Sequence, residues 1–193
     1  MLIAFEGPDN TGKSTSANKL TYHGEAIYNA TKANHSMAQR DLQDEPELVQ
    51  CFDRIDWFSH MVYRLALPTR DWNDDRNRTV FAMPDTHLVI KLHRPDLAAL
   101  ISDELYSTGT LALINPLYYQ FAEFFTDLNM NQDYQLFKTV SVIEVSNDPR
   151  DGTFSQKLLS FDSAVSPGNS YVGCTIKDNH LLDMLRSEDH VLI

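Results

Sequence analysis

The chain opens on Leu2-Ile3-Ala4-Phe5, a run without a polar position that Glu6 ends. A strand covered on both faces has this pattern, because neither side of it meets water. Further strands are predicted at residues 48–52, ending on Asp53-Arg54, at 86–92 and at 139–145, with a weaker one at 26–29. Between them apolar positions recur at helical spacing. Trp57, Phe58, Met61, Val62 and Leu65 fall on one helical stripe, which Pro68 ends. A helix is predicted from about Ser14, and Leu97, Leu100, Ile101 and Leu105 mark another. Leu117, Phe121, Phe124, Phe125 and Leu128 are the expected buried face of a helix begun by Asn115 as N-cap and Pro116 at the first position. Residues 33–47 are polar and are expected to be irregular, and residues 69–79 form a charged loop or short helix.

Strands alternating with helices predict a parallel α/β sheet with right-handed crossovers and helices on both faces. Residues 1–149 are expected to form one domain of this kind. Residues 150–193 lose the periodicity and are rich in Ser, Gly and Asp, so an irregular C-terminal appendage is expected there.

Composition narrows the chemistry. The 193 residues are 42% hydrophobic, enough for a core that needs no disulfide or metal staple. Sixteen Lys and Arg against 27 Asp and Glu give a net charge of -11. That charge argues against a groove tracking a nucleic-acid backbone. It leaves room for a small anion held by converging backbone N–H groups. Two cysteines, Cys51 and Cys174, make neither a disulfide framework nor a CxxC metal pair, and a reducing, cytoplasmic setting is expected. No apolar run approaches the roughly 20 residues of a membrane span, and the N-terminus has no basic segment of a secretory signal.

Residues 7–14, Gly-Pro-Asp-Asn-Thr-Gly-Lys-Ser, fit the phosphate-binding loop G-x-x-x-x-G-K-[ST]. The match follows a buried strand and precedes a helix, the context the loop requires, and it makes the fold class P-loop NTPase-type. The glycines let the backbone curl so that its N–H groups converge on phosphate oxygens, and the helix adds the positive end of its dipole. Gly7, Asn10, Thr11, Gly12, Lys13, Ser14 and Thr15 are the expected ATP-binding residues. Lys13 would reach the β- and γ-phosphates and Ser14 would ligate Mg²⁺. Asp53-Arg54 stands at the C-terminal end of a parallel strand, where ligands of α/β folds bind. Asp53 there could hold the metal or accept a proton, and Arg54 could grip a phosphoryl group with both arms of its fork.

The stretch Glu6-Gly7-Pro8-Asp9-Asn10-Thr11-Gly12-Lys13-Ser14-Thr15 resembles the phosphate loop of the thymidylate kinase family. Asp53-Arg54 resembles that family's Asp-Arg-Tyr, followed by a helix with Ser59 and Tyr63, and Pro84-Asp85-Thr86 resembles its Pro-Asp segment before a central strand. The resemblance covers about residues 1–30 and 48–148. It implies a deoxynucleoside monophosphate kinase using ATP and Mg²⁺, with Asp9 reading the acceptor sugar and Arg54 holding its phosphate. The partner is then a small-molecule nucleotide, without nucleic acid or membrane, and a homodimer is left open.

Three departures stand out. Ile55 replaces the Tyr, and the acceptor loop is short, with Arg40 as its single arginine. The lid region, about 102–117, has no arginine at all. Arg94, just past a strand end, is the first candidate for a substitute catalytic arginine, and Arg70, Arg76 and Arg78 are the second. A deoxynucleoside kinase and a catalytically decayed nucleotide-binding regulator are the alternatives.

Overall fold

The computed structural model describes residues 1–72, 78–101, 108–130, 134–162 and 171–189. Six strands form one sheet in the order β2-β3-β1-β4-β5-β6. They are β1 (Leu2–Glu6), β2 (Ile27–Ala30), β3 (Gln50–Ile55), β4 (Met83–His93), β5 (Phe137–Asn147) and β6 (Phe154–Asp162). β1 to β5 run parallel, and β6 pairs antiparallel with β5. Every residue of β1 is buried, as its apolar run requires.

The helices cover both faces. α3 (Asp56–Ala66) and α5 (Thr110–Met130) pack on one side, in a cluster containing Leu88, Ile90, Phe58, Tyr118 and Phe125. α1 (Lys13–Leu20) and α6 (Asp178–Asp189) close the other, around Ile3, Phe5, Val89, Ile143, Leu181 and Leu185. The chain goes to β2 and β3 on one side of β1 and to β4 and β5 on the other. The sheet therefore has its switch point at the C-terminal end of β1, where a crevice opens.

Three segments differ from the pattern reading. Residues expected to be irregular form α2 (Lys32–Asp44), started by a reciprocal capping box between Thr31 and Asn34. Asn has no place in the usual Ser/Thr-x-x-Glu signature, which hides the box in the sequence. α5 starts at Thr110, so Asn115 is not its N-cap and Pro116 lies inside it. The Asn115 side chain instead bonds both main-chain groups of His93, accepting from its N–H at 2.9 Å and donating to its carbonyl at 2.8 Å.

The irregularity expected after residue 150 is replaced, within the described residues, by β6 and by α6, which buries Leu181, Met184 and Leu185. A polar Gln156 at an inward position and a bulge at Val142/Ile143 blur the period there. The short α4 (Pro95–Ala98) is the described part of the helix expected around residue 100.

Phe58 is fully buried, with its ring 5.4 Å from that of Tyr118, 5.5 Å from Phe121 and 5.0 Å from Phe125. Phe58→Ala is expected to lower stability by about 3–5 kcal/mol. Urea unfolding would show this as a drop in midpoint at constant slope.

Candidate functional site

Residues 7–12 turn sharply between β1 and α1. Gly7 has φ 134°, and a side-chain carbon there would lie 2.0 Å from the carbonyl oxygen of Lys91 on β4. No other residue fits so close to a neighbouring strand. Asn10 (φ 64°) and Gly12 (φ 73°) are also left-handed, and they coil the loop back onto the helix. The Thr11 hydroxyl donates to the Pro8 carbonyl at 2.9 Å, and the Lys13 ammonium donates to the same oxygen. No side chain caps α1 at Gly12, and Ser14 and Thr15 stand exposed on its first turn. The N–H groups of a helix start are thereby left for an anion. Burial brings the Lys13 pKa down to about 7, with the nearby Arg54 charge adding to the effect.

β3 ends against this loop. Arg54 has φ 79°, a left-handed conformation that strains a residue with a side chain. The turn swings its guanidinium onto the Asp9 carboxylate of the loop, with weaker contacts to Ser59 Oγ at 3.3 Å and the Gly7 carbonyl at 3.5 Å. Tyr63 of α3 donates to the other Asp9 oxygen at 3.0 Å, and its ring lies 5.8 Å from the guanidinium carbon.

Below this pair lies Glu6, fully buried. It accepts bonds from the N–H of Ile55, from Gly7 N–H at 3.3 Å, from Ser59 Oγ at 2.9 Å and from Tyr118 at 3.0 Å. Burial raises its pKa, and Arg54 opposes the rise. Glu6 thus fastens the ends of β1 and β3 to α3 and α5. Glu6 directly precedes the loop motif in sequence, and this role depends on Ile55, Ser59 and Tyr118, all distant in the chain.

Asp53 is the reverse case. Its Oδ1 is buried and accepts no hydrogen bond among the described residues. A buried carboxylate oxygen without a donor, in electrostatic reach of the Lys13 ammonium, suits a divalent cation.

Beside the Asp9–Arg54 pair is a cavity of about 230 Å³, lined among others by Tyr28, Asp56, Tyr63, Trp72 and Arg78. Arg78 faces Asp56 across 3.8 Å, and among the described residues its buried Nε has no hydrogen-bond partner. Of the charged segment 69–79, residues 73–77, with Arg76, lie outside the described residues, and Arg78 lines the cavity.

The structure does not gather two other arginines. Arg94 forks outward onto Asp96 at 2.6 and 2.8 Å, because the chain turns into α4 directly after it. Arg40 lies exposed on α2 and bonds the Ser36 carbonyl of its own helix. Of the lid region, residues 102–107 lie outside the described residues, and 108–117 enter α5.

Lys91 was missed. It is fully buried on β4 and donates to Ser16 Oγ at 2.7 Å and to the Gly12 carbonyl at 3.3 Å. Ser16 in turn donates to Asp178 of α6 at 2.9 Å. Burial lowers the Lys91 pKa to about 8, against the pull of Asp178. A lysine inside Leu88-Val89-Ile90-Lys91-Leu92 was the available signal, since a cation in a two-sided strand needs a partner. His93, next on that face, bonds the Asp9 carbonyl at 2.7 Å.

The chain matches no protein-family model and no curated relative. Among solved structures it is similar to the YorR protein of Bacillus subtilis in complex with phosphorylated GDP. The two share 16% identity over 98% of each chain, with a TM-score of 0.41. At that score the likeness says nothing about the site. No helix among the described residues is long and apolar enough to cross a membrane.

The Lys13 shift has a measurable sign. A lysine that titrates near 10.4 when unfolded and at about 7 in the fold carries its full burial cost below pH 7. The cost fades as pH rises toward the unfolded value. Lys13→Met should therefore be more stable than the parent chain at pH 6, with the gap closing by pH 10, as read from urea midpoints at both values.

Proposed function

We propose that the protein transfers the γ-phosphoryl group of ATP to the phosphate of a nucleoside monophosphate, with a deoxynucleotide as the preferred acceptor. One observation carries this reading. The phosphate loop and a separate cavity share a wall, made by the loop's own Asp9 and by Arg54. Direct transfer between two ligands needs two compartments that meet at the transferring group.

Each side chain then has a task. Lys13 and the loop N–H groups hold the donor phosphates. Asp53, through its unpartnered oxygen, and Ser14 would hold Mg²⁺, which when bound offsets the charge of the phosphate oxygens. Arg54 and Arg78 grip the acceptor phosphate from two sides. Asp9 keeps room for a sugar hydroxyl, because each carboxylate oxygen accepts more than the one bond it now receives. The acceptor phosphate oxygen attacks the γ-phosphorus, the bond to the β-phosphate bridging oxygen breaks, and ADP leaves.

A phosphate acceptor is already ionised at neutral pH, with a second pKa of roughly 6, so the site needs no general base. A deoxynucleoside acceptor would need one.

The test is turnover of ATP with a panel of ribo- and deoxynucleoside monophosphates and of deoxynucleosides. Diphosphate formation from the monophosphates alone is the expected result. Phosphorylation of nucleosides alone would reassign the acceptor, and ATP binding without any turnover would reassign the protein as a regulator. Lys13→Ala should weaken ATP binding by roughly 10- to 100-fold, the loss of a charge-assisted contact, and abolish turnover without altering the far-UV dichroism. Arg54→Lys should retain more activity than Arg54→Ala, because the fork and not the charge alone positions the phosphate. Arg78→Ala should lower kcat and raise acceptor KM more than Arg94→Ala, since Arg78 lines the cavity and Arg94 bonds Asp96.

A further inference from the structure

Phe154 is the first residue of β6 and lies opposite Asn147 across the β5–β6 turn. Its ring reaches the phosphate loop. A side-chain carbon on Gly12 would be 3.8 Å from Phe154 Cζ and 3.9 Å from Cε2. The Lys91 ammonium lies 3.8 Å from the same point, so the ring sits at the loop's rim above a buried cation. Phe154 is nonetheless 53% exposed, and it belongs to neither apolar cluster of the core.

Its neighbours fix its place. Gln156, two residues on along the same face, is buried and donates to Asp178 at 3.1 Å, and Asp178 also accepts from Ser16 of α1. β6 is therefore tied to the helix that starts at the loop. An aromatic with two rotatable bonds, anchored on a paired strand, presents a flat face to solvent with little entropy left to lose.

We propose that Phe154 is the stacking platform for the base of the nucleotide whose phosphates lie in the loop. This rests on the reading of the loop as a nucleotide site given above, and it adds the residue that binds the base. The loop's N–H groups and Lys13 read only phosphate, and they would hold inorganic tripolyphosphate as well as ATP. The ring supplies the part of the affinity that depends on the base. Stacking reads the face of a base and not its edge, so the platform by itself does not tell ATP from GTP.

The rival role for the ring is to seal Lys91 and Gly12 from water, and the two roles separate by ligand. Titration calorimetry with Mg²⁺ would compare ATP and inorganic tripolyphosphate on the parent chain, Phe154→Ala, Phe154→Leu and Phe154→Trp. Stacking predicts an ATP affinity about 10-fold or more weaker in the Ala and Leu variants, with tripolyphosphate affinity within about twofold of the parent. Phe154→Trp should keep ATP affinity, and its added fluorescence should be quenched by ATP and not by tripolyphosphate. The Leu variant keeps apolar bulk over the loop, so it reports on the π-face even if the Ala variant does not fold. Equal loss of both ligands would overturn the proposal in favour of sealing, and no loss of either would overturn it outright. Failure of the parent chain to bind either ligand would instead bring down the reading of the loop itself.

Discussion

The contact on which the structure turns is the approach of Gly7 to the backbone of β4. With room for no side chain between it and the Lys91 carbonyl, the loop is pressed against the strand that neighbours β1. That approach sets the direction in which the chain leaves β1, and hence where the Asp9 carboxylate and the start of α1 point. Lys91 uses the same closeness from below. Its ammonium reaches the Gly12 carbonyl and Ser16, holding the far end of the loop to the same strand whose main chain crowds the near end. His93 adds a third tie at Asp9. The loop is thus met at its start, middle and end by two alternate residues of one strand, Lys91 and His93, whose side chains point to the same face of the sheet.

Charge in the site is arranged around this frame. Glu6, Asp9, Lys13, Asp53 and Arg54 crowd the ends of β1 and β3, Glu6 and Lys13 buried and the other three half-buried. Burial works against the charges of Glu6, Lys13 and Arg54, and the pattern of partners decides which charges are satisfied. Glu6 accepts from four donor groups and Asp9 from one on each carboxylate oxygen, whereas among the described residues Asp53 keeps a buried oxygen unpaired and Lys13 bonds a loop carbonyl. The satisfied groups build the site. The unsatisfied ones are those that a phosphate and a cation would complete.

A net charge of -11 does not by itself exclude an anion site. Arg54 and Arg78 line the cavity beside the loop that carries Lys13 and leads into α1, although Asp9 and Asp56 line the same cavity. Global charge speaks to the protein's long-range field and says little about a pocket in which backbone dipoles and buried cations dominate.

The sequence by itself determined the alternation of elements, the buried strand β1, the glycine turn of residues 7–12 before α1 and the Asp53-Arg54 pair at a strand end. Each of these is local: a run of apolar residues, a glycine spacing, a period of 3.6. It did not determine where α5 begins, because Asn115 looks like a cap until His93, distant in the chain, is seen to claim both ends of its amide. Nor did it place β6 and α6, whose polar inward residues Gln156 and Asp178 make sense only against Ser16 and Lys91. The choice among the arginines was likewise tertiary. Arg94 and Arg78 carry the same group, and only the folded chain turns one onto a surface carboxylate and the other into the cavity. Local signals fix what a segment is. Which buried polar groups find each other depends on contacts between segments far apart in the chain, and those pairings exist only once the sheet has assembled.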